Sequence, residues 1–199
     1  NGVRCRRSVQ RIFGIVPAAT PSPQRCRFVM AGVPLKLIVG LGNPDPEYAR
    51  TRHNAGFWFV EELARRHGGA FRSETKHQGE VARVRIADAE IWLLKPMTYM
   101  NRSGGPTRSL ATFYKIPVEE ILVAHDELDF PPGVVKLRQG GGAAGNNGVK
   151  DLIAQLGDAF WRFRIGVGKP PAVGREHVLS RPSAAEDTLI RECIADAAD

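Results

Sequence analysis

The chain has 199 residues, 43% of them apolar and 25% charged, which is typical of one globular domain or at most two small ones. It contains no run of about 18 uninterrupted apolar residues, which argues against an integral membrane protein. Three cysteines without a Cys-x-x-Cys pair exclude a disulfide scaffold and a zinc ribbon, and they favour a reducing, cytoplasmic setting.

The net charge of +7 arises mostly from the first 29 residues, which hold six arginines and no acid. Subtracting those six leaves 22 basic residues against 21 acidic ones, so the whole-chain charge is weak evidence for a nucleic-acid partner. An Arg-rich, acid-free segment is typical of a targeting presequence. The alternative is a translated upstream region with the start at Met30, because the chain opens on Asn1. In both interpretations residues 1–34 are an extension, and the domain spans residues 35–199.

After the extension, strand-like and helix-like segments alternate, which predicts a single α/β domain with a twisted mixed β-sheet flanked by helices. Short apolar runs predict strands at Leu35–Gly40, Val81–Ile86, Ile91–Leu94, Glu120–Ala124, Val134–Arg138 and Arg162–Val167. Apolar residues at helical spacing predict helices at Ala55–His67, Arg108–Tyr114, Gly148–Leu156 and Ser183–Ala198.

The first loop, Gly40–Tyr48, follows the first predicted strand. Its two glycines weakly suggest a small nucleotide-binding enzyme, but the third glycine of that motif is missing and two prolines interrupt it. The glycines more simply allow a sharp turn at the carboxyl edge of the sheet, where α/β proteins bind ligands. Asn43 would then present a neutral amide to that cleft.

The second motif is Thr51–Gly56, in which His53 stands at the start of a predicted helix. A helix N-terminus disfavours the imidazolium ion and so keeps the ring able to accept a proton. The alternative is that His53 and Asn54 are a helix-capping polar pair. The chain has no Gly-x-Ser-x-Gly elbow and no His-x-x-x-His spacing, so we predict neither a serine nucleophile nor a metal site, and no cofactor.

Two further strand ends carry polar side chains. Asn101 follows the strand Ile91–Leu94, and Asp126 follows the apolar run that ends at Ala124. A carboxylate bonded to one ring nitrogen of a histidine fixes the tautomer and stabilises the cation that forms, so Asp126 is a candidate to orient a histidine. The alternative for the acids at positions 126–129 is a solvated turn.

A basic region follows. Lys136 and Arg138 are two residues apart and so share one face of a strand. Residues 131–181 hold eight basic residues against three acids, which is a signal for a phosphate-binding surface. The alternative is an ordinary solvated basic face, and the count alone does not decide between the two.

Taken in order, five motifs resemble the bacterial-type peptidyl-tRNA hydrolases, over about residues 35–198. They are Leu37–Pro44, Thr51–Gly56, Met100-Asn101-x-Ser103-Gly104, Asp126–Asp129, and the Gly-rich loop that ends in Asn147-Gly148-x-Lys150-Asp151. The resemblance implies a single α/β domain that hydrolyses the ester between a peptide and the 3′ end of tRNA, without a metal, and recycles tRNA from aborted translation.

The resemblance also implies roles for individual residues. His53 would be the catalytic base, Asp126 would hold it in its basic form, and Asn43 would help to distinguish peptidyl from aminoacyl substrates. The remaining implied residues line the groove or hold tRNA phosphates: Tyr48, Asn54, Tyr99, Met100, Asn101 and Asn147 in the groove, and Lys136, Arg138 and Arg164 at the phosphates. Asn101 is also a candidate donor to the developing oxyanion. The expected partner is peptidyl-tRNA, and the expected state is a monomer.

The chain departs from that family's pattern in the Gly-rich loop. The family usually carries His where Ala143 stands, Gly where Ala144 stands, and often His where Asn146 stands. It also commonly continues beyond Asp199 for a short helix, so the sequence is expected to be a fragment. The alternative function is a non-catalytic RNA-binding module, which would have no need of His53 paired with Asp126.

Overall fold

The computed structural model describes residues 29–30, 33–169 and 175–199; the predicted extension otherwise lies outside the described residues. The strands are β1 Val29–Met30, β2 Val33–Pro34, β3 Leu37–Gly40, β4 Arg72–Glu74, β5 Gly79–Ile86, β6 Ala89–Pro96, β7 Ile121–Glu127, β8 Val135–Gln139 and β9 Trp161–Gly166. The helices are α1 Ala55–Arg66, α2 Gly104–Phe113, α3 Asn147–Leu156, α4 Arg175–Val178 and α5 Ala184–Ala197.

Seven of the described strands form one mixed sheet in the order β4-β5-β6-β3-β7-β9-β8. The central pairs β6/β3, β3/β7 and β7/β9 are parallel, whereas β4/β5, β5/β6 and β8/β9 are antiparallel. β3 and β7 are buried along their whole length, as expected for parallel strands covered on both faces. Their carboxyl ends meet at one edge of the sheet, which is where the loops after β3 and β7 leave it. The Gly-rich loop instead leaves β8, which is antiparallel to β9, at the opposite edge. The prediction of an α/β fold with a mixed sheet is confirmed.

Helices cover both faces of this sheet and give two apolar cores. The first core joins α1 and α5 to side chains such as Ile38, Ala124 and Phe163. The second joins α2 and α3 to Val39 and Val123, the neighbours of those residues on the opposite side of each strand. Because side chains alternate along β7, these two cores determine which face of the sheet His125 and Asp126 point to.

A close contact at Gly56 sets the position of the candidate base. A Cβ atom on Gly56 would lie 2.3 Å from the carbonyl oxygen of Ala124 and 2.4 Å from the amide nitrogen of Leu41, so only glycine fits there. The first turn of α1 thus touches the ends of both β3 and β7. His53, three residues before Gly56, is brought next to Asp126, two residues after Ala124.

The observed elements differ from the predicted ones mainly at their ends. The predicted hairpin is longer, and the exposed strand β4, which has no apolar pattern, was not predicted. The helix predicted at Arg108–Tyr114 begins at Gly104 instead. The residues Gly104, Gly105 and Pro106 indicate a helix break in isolation, but proline is tolerated in a first turn, and the Gly104 N–H donates to Asp151 Oδ2 of α3 at 2.7 Å.

Candidate active site

A cavity of about 830 Å³ opens at the carboxyl edge of the sheet, between the loops that follow β3, β6 and β7. Its lining includes eight of the twelve residues predicted for the site: Asn43, Tyr48, His53, Tyr99, Met100, Asn101, Asp126 and Asn147. The other four, Asn54, Lys136, Arg138 and Arg164, do not line it.

His53 and Asp126 form a buried pair in this cavity. His53 lies in a 3-10 turn, Arg52–Asn54, that leads directly into α1, and its Nδ1 is 2.9 Å from Asp126 Oδ1 and 3.0 Å from Oδ2. The two residues are 9% and 5% exposed, respectively. Both distances are within hydrogen-bonding range. A carboxylate on Nδ1 favours the tautomer with a proton there, which puts the lone pair of the neutral ring on Nε2.

Asn43 is held rigidly by its neighbours. Its side-chain Oδ1 accepts the backbone N–H of Met100 at 2.8 Å, and an N–H donor requires an oxygen there, so Nδ2 faces the cavity. Its backbone is fixed by Asn54, whose Oδ1 accepts the Asn43 N–H at 2.9 Å and whose Nδ2 donates to the Asn43 carbonyl at 3.0 Å. Asn54 is 2% exposed and its amide is engaged on both sides. The structure therefore corrects its predicted place in the groove: Asn54 supports Asn43 from behind.

Asn101 and the two tyrosines lie at the mouth of the cavity. Asn101 is exposed on a 3-10 turn, Met100–Arg102, which the Ser103 hydroxyl braces by donating to the Met100 carbonyl at 2.8 Å. A hydrogen bond with Glu47 raises the pKa of Tyr48, and a hydrogen bond with Asp45 raises the pKa of Tyr99. Both phenols are therefore neutral donors near neutral pH.

Two buried arginines that had no individual role in the sequence-based prediction, Arg52 and Arg162, support the walls of the cavity. Arg52 donates to the Ser180 hydroxyl at 2.7 Å, to the Arg181 carbonyl at 2.9 Å and to Glu186 at 2.8 Å. It thereby ties the segment that carries Leu179, a lining residue, to the turn that carries His53. Its position beside His53 was visible in the sequence, but its partners, which are 125 or more residues away, were not.

Arg162 of β9 supports the Gly-rich loop in the same way, by hydrogen bonds to its backbone. Its guanidinium donates to the carbonyl oxygens of Gly141 and Gly142. Burial, followed by the charges of Arg138 and Arg164, lowers the pKa of Arg162 below its ordinary value. In the same loop Ala144 adopts a left-handed backbone with φ of 48°, a conformation that costs a non-glycine residue about 1 kcal/mol. The departure from glycine at this position therefore strains the loop.

His125, next to Asp126, also lines the cavity but points to the opposite face of β7. Its Nδ1 is 2.8 Å from the Asp126 carbonyl, and its Nε2 is buried without a hydrogen-bond partner. Burial lowers the pKa of this imidazole. His125 is therefore a neutral, structural histidine beside the candidate base.

The three predicted phosphate contacts lie on β8 and β9, outside the cavity. β8 pairs with β9 so that Lys136 faces Arg164 and Arg138 faces Arg162 across the two strands. Lys136 and Arg138 are exposed, whereas Arg164 donates from Nε to Glu127 Oε2 at 2.9 Å and forms an ion pair with that carboxylate. Because Glu127 already balances the Arg164 charge, Arg164 is a weaker candidate for phosphate binding than the sequence indicates.

Among residues 33–169 and 175–199, no group of three or more His, Cys, Asp or Glu side chains is arranged to hold a metal ion. Within the same ranges, none of the helices combines the length and the apolar character that crossing a membrane requires.

Comparison with known proteins gives consistent matches. A family model described as peptidyl-tRNA hydrolase matches residues 37–199. The chain is 54% identical over 167 residues to the peptidyl-tRNA hydrolase of Halorhodospira halophila, covering 82% of this chain and 86% of that protein. It is 52% identical over 166 residues to the Neisseria gonorrhoeae enzyme, covering 81% and 85%. The crystal structure of the Acinetobacter baumannii peptidyl-tRNA hydrolase is 48% identical, with a TM-score of 0.78, and the match covers 80% of this chain and 83% of that one.

Proposed function

Because the chain belongs to the peptidyl-tRNA hydrolase family, we propose that it hydrolyses the ester of peptidyl-tRNA with His53 as the general base. The observation that carries this mechanism is the buried hydrogen bond between His53 and Asp126. A pure RNA-binding module, the alternative function, has no use for an imidazole oriented in this way.

The proposed reaction needs a water molecule, a base and an oxyanion donor. The lone pair on His53 Nε2 takes a proton from the water as its oxygen attacks the ester carbonyl, and the imidazolium that forms is stabilised by Asp126. When the tetrahedral intermediate collapses, the proton passes to the departing 3′ oxygen of the tRNA ribose. An ester has a good leaving group, so a neutral imidazole is a sufficient base for the attack of water.

The negative charge that develops on the carbonyl oxygen needs a donor that is already in place. Asn43 Nδ2 is favoured for this role, because the bond from Met100 N–H to its Oδ1 fixes the orientation of the amide. Asn101 is exposed and less constrained, so we assign it as a second donor to the oxyanion. Its hydrogen bond forms fully only when substrate fills the cavity. The neutral amides of Asn43 and Asn147 also suit a peptide main chain, which offers both donors and acceptors, and this supports selection of peptidyl over aminoacyl substrates.

The rest of the groove is assigned by its chemistry. The phenols of Tyr48 and Tyr99 flank the mouth, where they offer both stacking surfaces and hydrogen bonds to the acceptor end of tRNA. Met100, 4% exposed, packs in the floor. No step in this mechanism requires a cofactor. We further propose that the enzyme acts as a cytoplasmic monomer that recycles tRNA from aborted translation.

One assay tests the proposal. N-acetyl-aminoacyl-tRNA is incubated with the protein in the presence of a metal chelator, and release of the blocked amino acid is measured. We expect multiple turnovers, and no hydrolysis of the same aminoacyl-tRNA without the acetyl group. Tight tRNA binding without release would contradict the proposal and favour the RNA-binding module.

The basic residues of β8 are proposed to contact tRNA phosphates. Lys136 Nζ lies 4.4 Å from the centre of the Phe130 ring, and the Arg138 guanidinium lies over Gly141, where a Cβ atom would come within 2.8 Å of it. Both cations are exposed at the edge of the sheet that lies next to the cavity-forming loops, and neither has an ion-pair partner among the described residues.

Removing these cations should weaken binding more than chemistry. Because a phosphate contact is made equally in the ground state and the transition state, Lys136→Ala and Arg138→Ala should each raise KM more than they lower kcat. Each should also reduce the slope of log affinity against log salt by about one unit, equally for different tRNAs.

The matched control is Arg85→Ala, which removes one exposed positive charge from β5, near the opposite edge of the sheet. This control should leave KM unchanged. If Lys136→Ala and Arg138→Ala behave like Arg85→Ala at physiological salt, the phosphate role is wrong and the surface is an ordinary solvated face.

A further inference from the structure

Asn146, a residue without an assigned role in the proposed mechanism, contacts both the cleft and a helix end. Its Oδ1 accepts the backbone N–H groups of Gly148 at 3.0 Å and Val149 at 3.1 Å, and so caps α3. Its Nδ2 donates to Asp126 Oδ1 at 3.0 Å. One side chain thus joins the start of a helix to the carboxylate that holds His53.

The orientation of this amide is determined by its partners. Two backbone N–H groups require an oxygen acceptor, so the nitrogen must face Asp126. The backbone is also engaged, because the Asn146 N–H donates to the Ala143 carbonyl at 3.0 Å and the Lys150 N–H donates to the Asn146 carbonyl at 3.0 Å. The residue therefore has little freedom to rotate away.

The helix that it caps is packed tightly against the cavity floor. A Cβ atom on Gly148 would lie 2.5 Å from Met100 Sδ and 2.9 Å from a methyl carbon of Leu41, so the first turn of α3 approaches these side chains as closely as glycine permits. This packing holds the start of α3 in place, and it therefore fixes the position from which Asn146 Nδ2 donates to Asp126.

We propose that Asn146 is a positioning residue that acts through Asp126, holding this carboxylate in the orientation in which it bonds His53 Nδ1. The inference rests on the proposed function. His53 and Asn146 both bond to Asp126 Oδ1, although one precedes Asp126 in the sequence and the other follows it. The carboxylate therefore cannot rotate without losing both hydrogen bonds. An amide does not titrate, so this restraint is present at every pH at which the protein is folded.

Other charged and titratable groups surround Asp126 and remain unaltered when Asn146 is replaced. They are His53, His125, Glu127 with its partner Arg164, Asp129 with its partner Lys169, Arg162, Tyr48 and Tyr99. A change in the behaviour of His53 on replacement of Asn146 is therefore attributable to the lost amide donor.

Two substitutions separate positioning from helix capping. Asn146→Ser keeps an N-cap oxygen but is too short to reach Asp126, whereas Asn146→Ala removes both functions. We expect Asn146→Ser to melt at nearly the parental temperature and to lower kcat about tenfold with little change in KM. Asn146→Ala should lose a similar share of kcat and melt at a lower temperature.

The decisive measurement is a double-mutant cycle with Asp126→Asn, using N-acetyl-aminoacyl-tRNA as the substrate. If Asn146 acts through Asp126, then Asn146→Ser should have little further effect in the Asp126→Asn protein. An unchanged, roughly tenfold loss in that background would overturn the inference while leaving the proposed hydrolase intact. A parent protein without turnover would instead contradict the proposed function.

A measurement without substrate tests the inference even if the parent protein shows no turnover. The ring resonances of His53, followed by NMR as the pH is varied, give the pH at which half of the imidazole is protonated. Without the amide donor Asp126 is less well oriented toward His53 and stabilises the imidazolium less, so this midpoint should move to lower pH in Asn146→Ser. The same substitution should not move it in the Asp126→Asn background. A midpoint that Asn146→Ser leaves in place or moves to higher pH contradicts the inference, whether or not the protein turns over substrate.

Discussion

Replacing His53 with alanine is expected to lower kcat for N-acetyl-aminoacyl-tRNA by ~10²–10⁴ while the dissociation constant for tRNA stays nearly unchanged. The imidazole accepts a proton only as the water attacks, so its loss affects the transition state and not the bound ground state. Steady-state kinetics and direct tRNA binding by the same variant give the two quantities separately.

The chain offers a matched control in His67, an imidazole just beyond the other end of α1, whose Nε2 lies 3.2 Å from the Ala198 carbonyl. His67→Gln should retain parental kcat. A His53→Ala protein with parental turnover would eliminate His53 as the base. Equal losses in the two histidine variants would point to damage to α1 instead.

The pairing of His53 with Asp126 was predictable because each residue stands where an element meets the carboxyl edge of the sheet. The resemblance to the family implied the pairing, and two sequence features agreed with it: a buried apolar run ending in acids, and a histidine at a helix start. Their separation of 73 residues conveys no distance by itself. The contact is made close by Gly56, which lets α1 approach the Ala124 carbonyl, and a glycine at a helix start gives no such indication when read alone.

The roles of Asn54 and Arg164 were not predictable, because both depend on which neighbour a side chain finds after folding. Asn54 stands beside His53 in the sequence, but the helical turn directs its amide toward the Asn43 backbone. Arg164 is one of eight basic residues in its region, yet the register of β7 with β9 places it opposite His125, within reach of the buried Glu127. A count of charges does not distinguish a paired cation from a free one.

The Gly-rich loop illustrates the same limit. The sequence shows that Asn146 departs from the family pattern, but not whether the departure matters. In the structure this amide makes three hydrogen bonds: its oxygen accepts two from the start of α3, and its nitrogen donates one to Asp126. The position therefore requires a side chain that has both an acceptor and a donor. Ala144 is a different kind of departure, since its left-handed backbone has a cost and no compensating contact is evident.

Replacing Asn43 with alanine is the second large effect that we expect, a loss of ~10²–10³ in kcat, the size found when one oxyanion donor is removed. The amide is fixed before substrate arrives: Met100 N–H holds its oxygen, and Asn54 holds its backbone on both sides. A donor that needs no reorganisation contributes most as charge develops, so KM should change much less than kcat.

Asn43→Asp sharpens this prediction, because it keeps the oxygen that accepts from Met100 but replaces the donor with an acceptor. If Nδ2 stabilises the oxyanion, this variant should fold like the parent, by its melting temperature, and lose at least as much kcat as Asn43→Ala. Asn101→Ala is the comparator, since its amide lines the same cavity but is exposed. A flexible donor must be ordered during the reaction, so this loss should be smaller. The reverse order, with Asn101→Ala the more damaged enzyme, would move the oxyanion role to Asn101 and leave Asn43 as a contact to the peptide main chain.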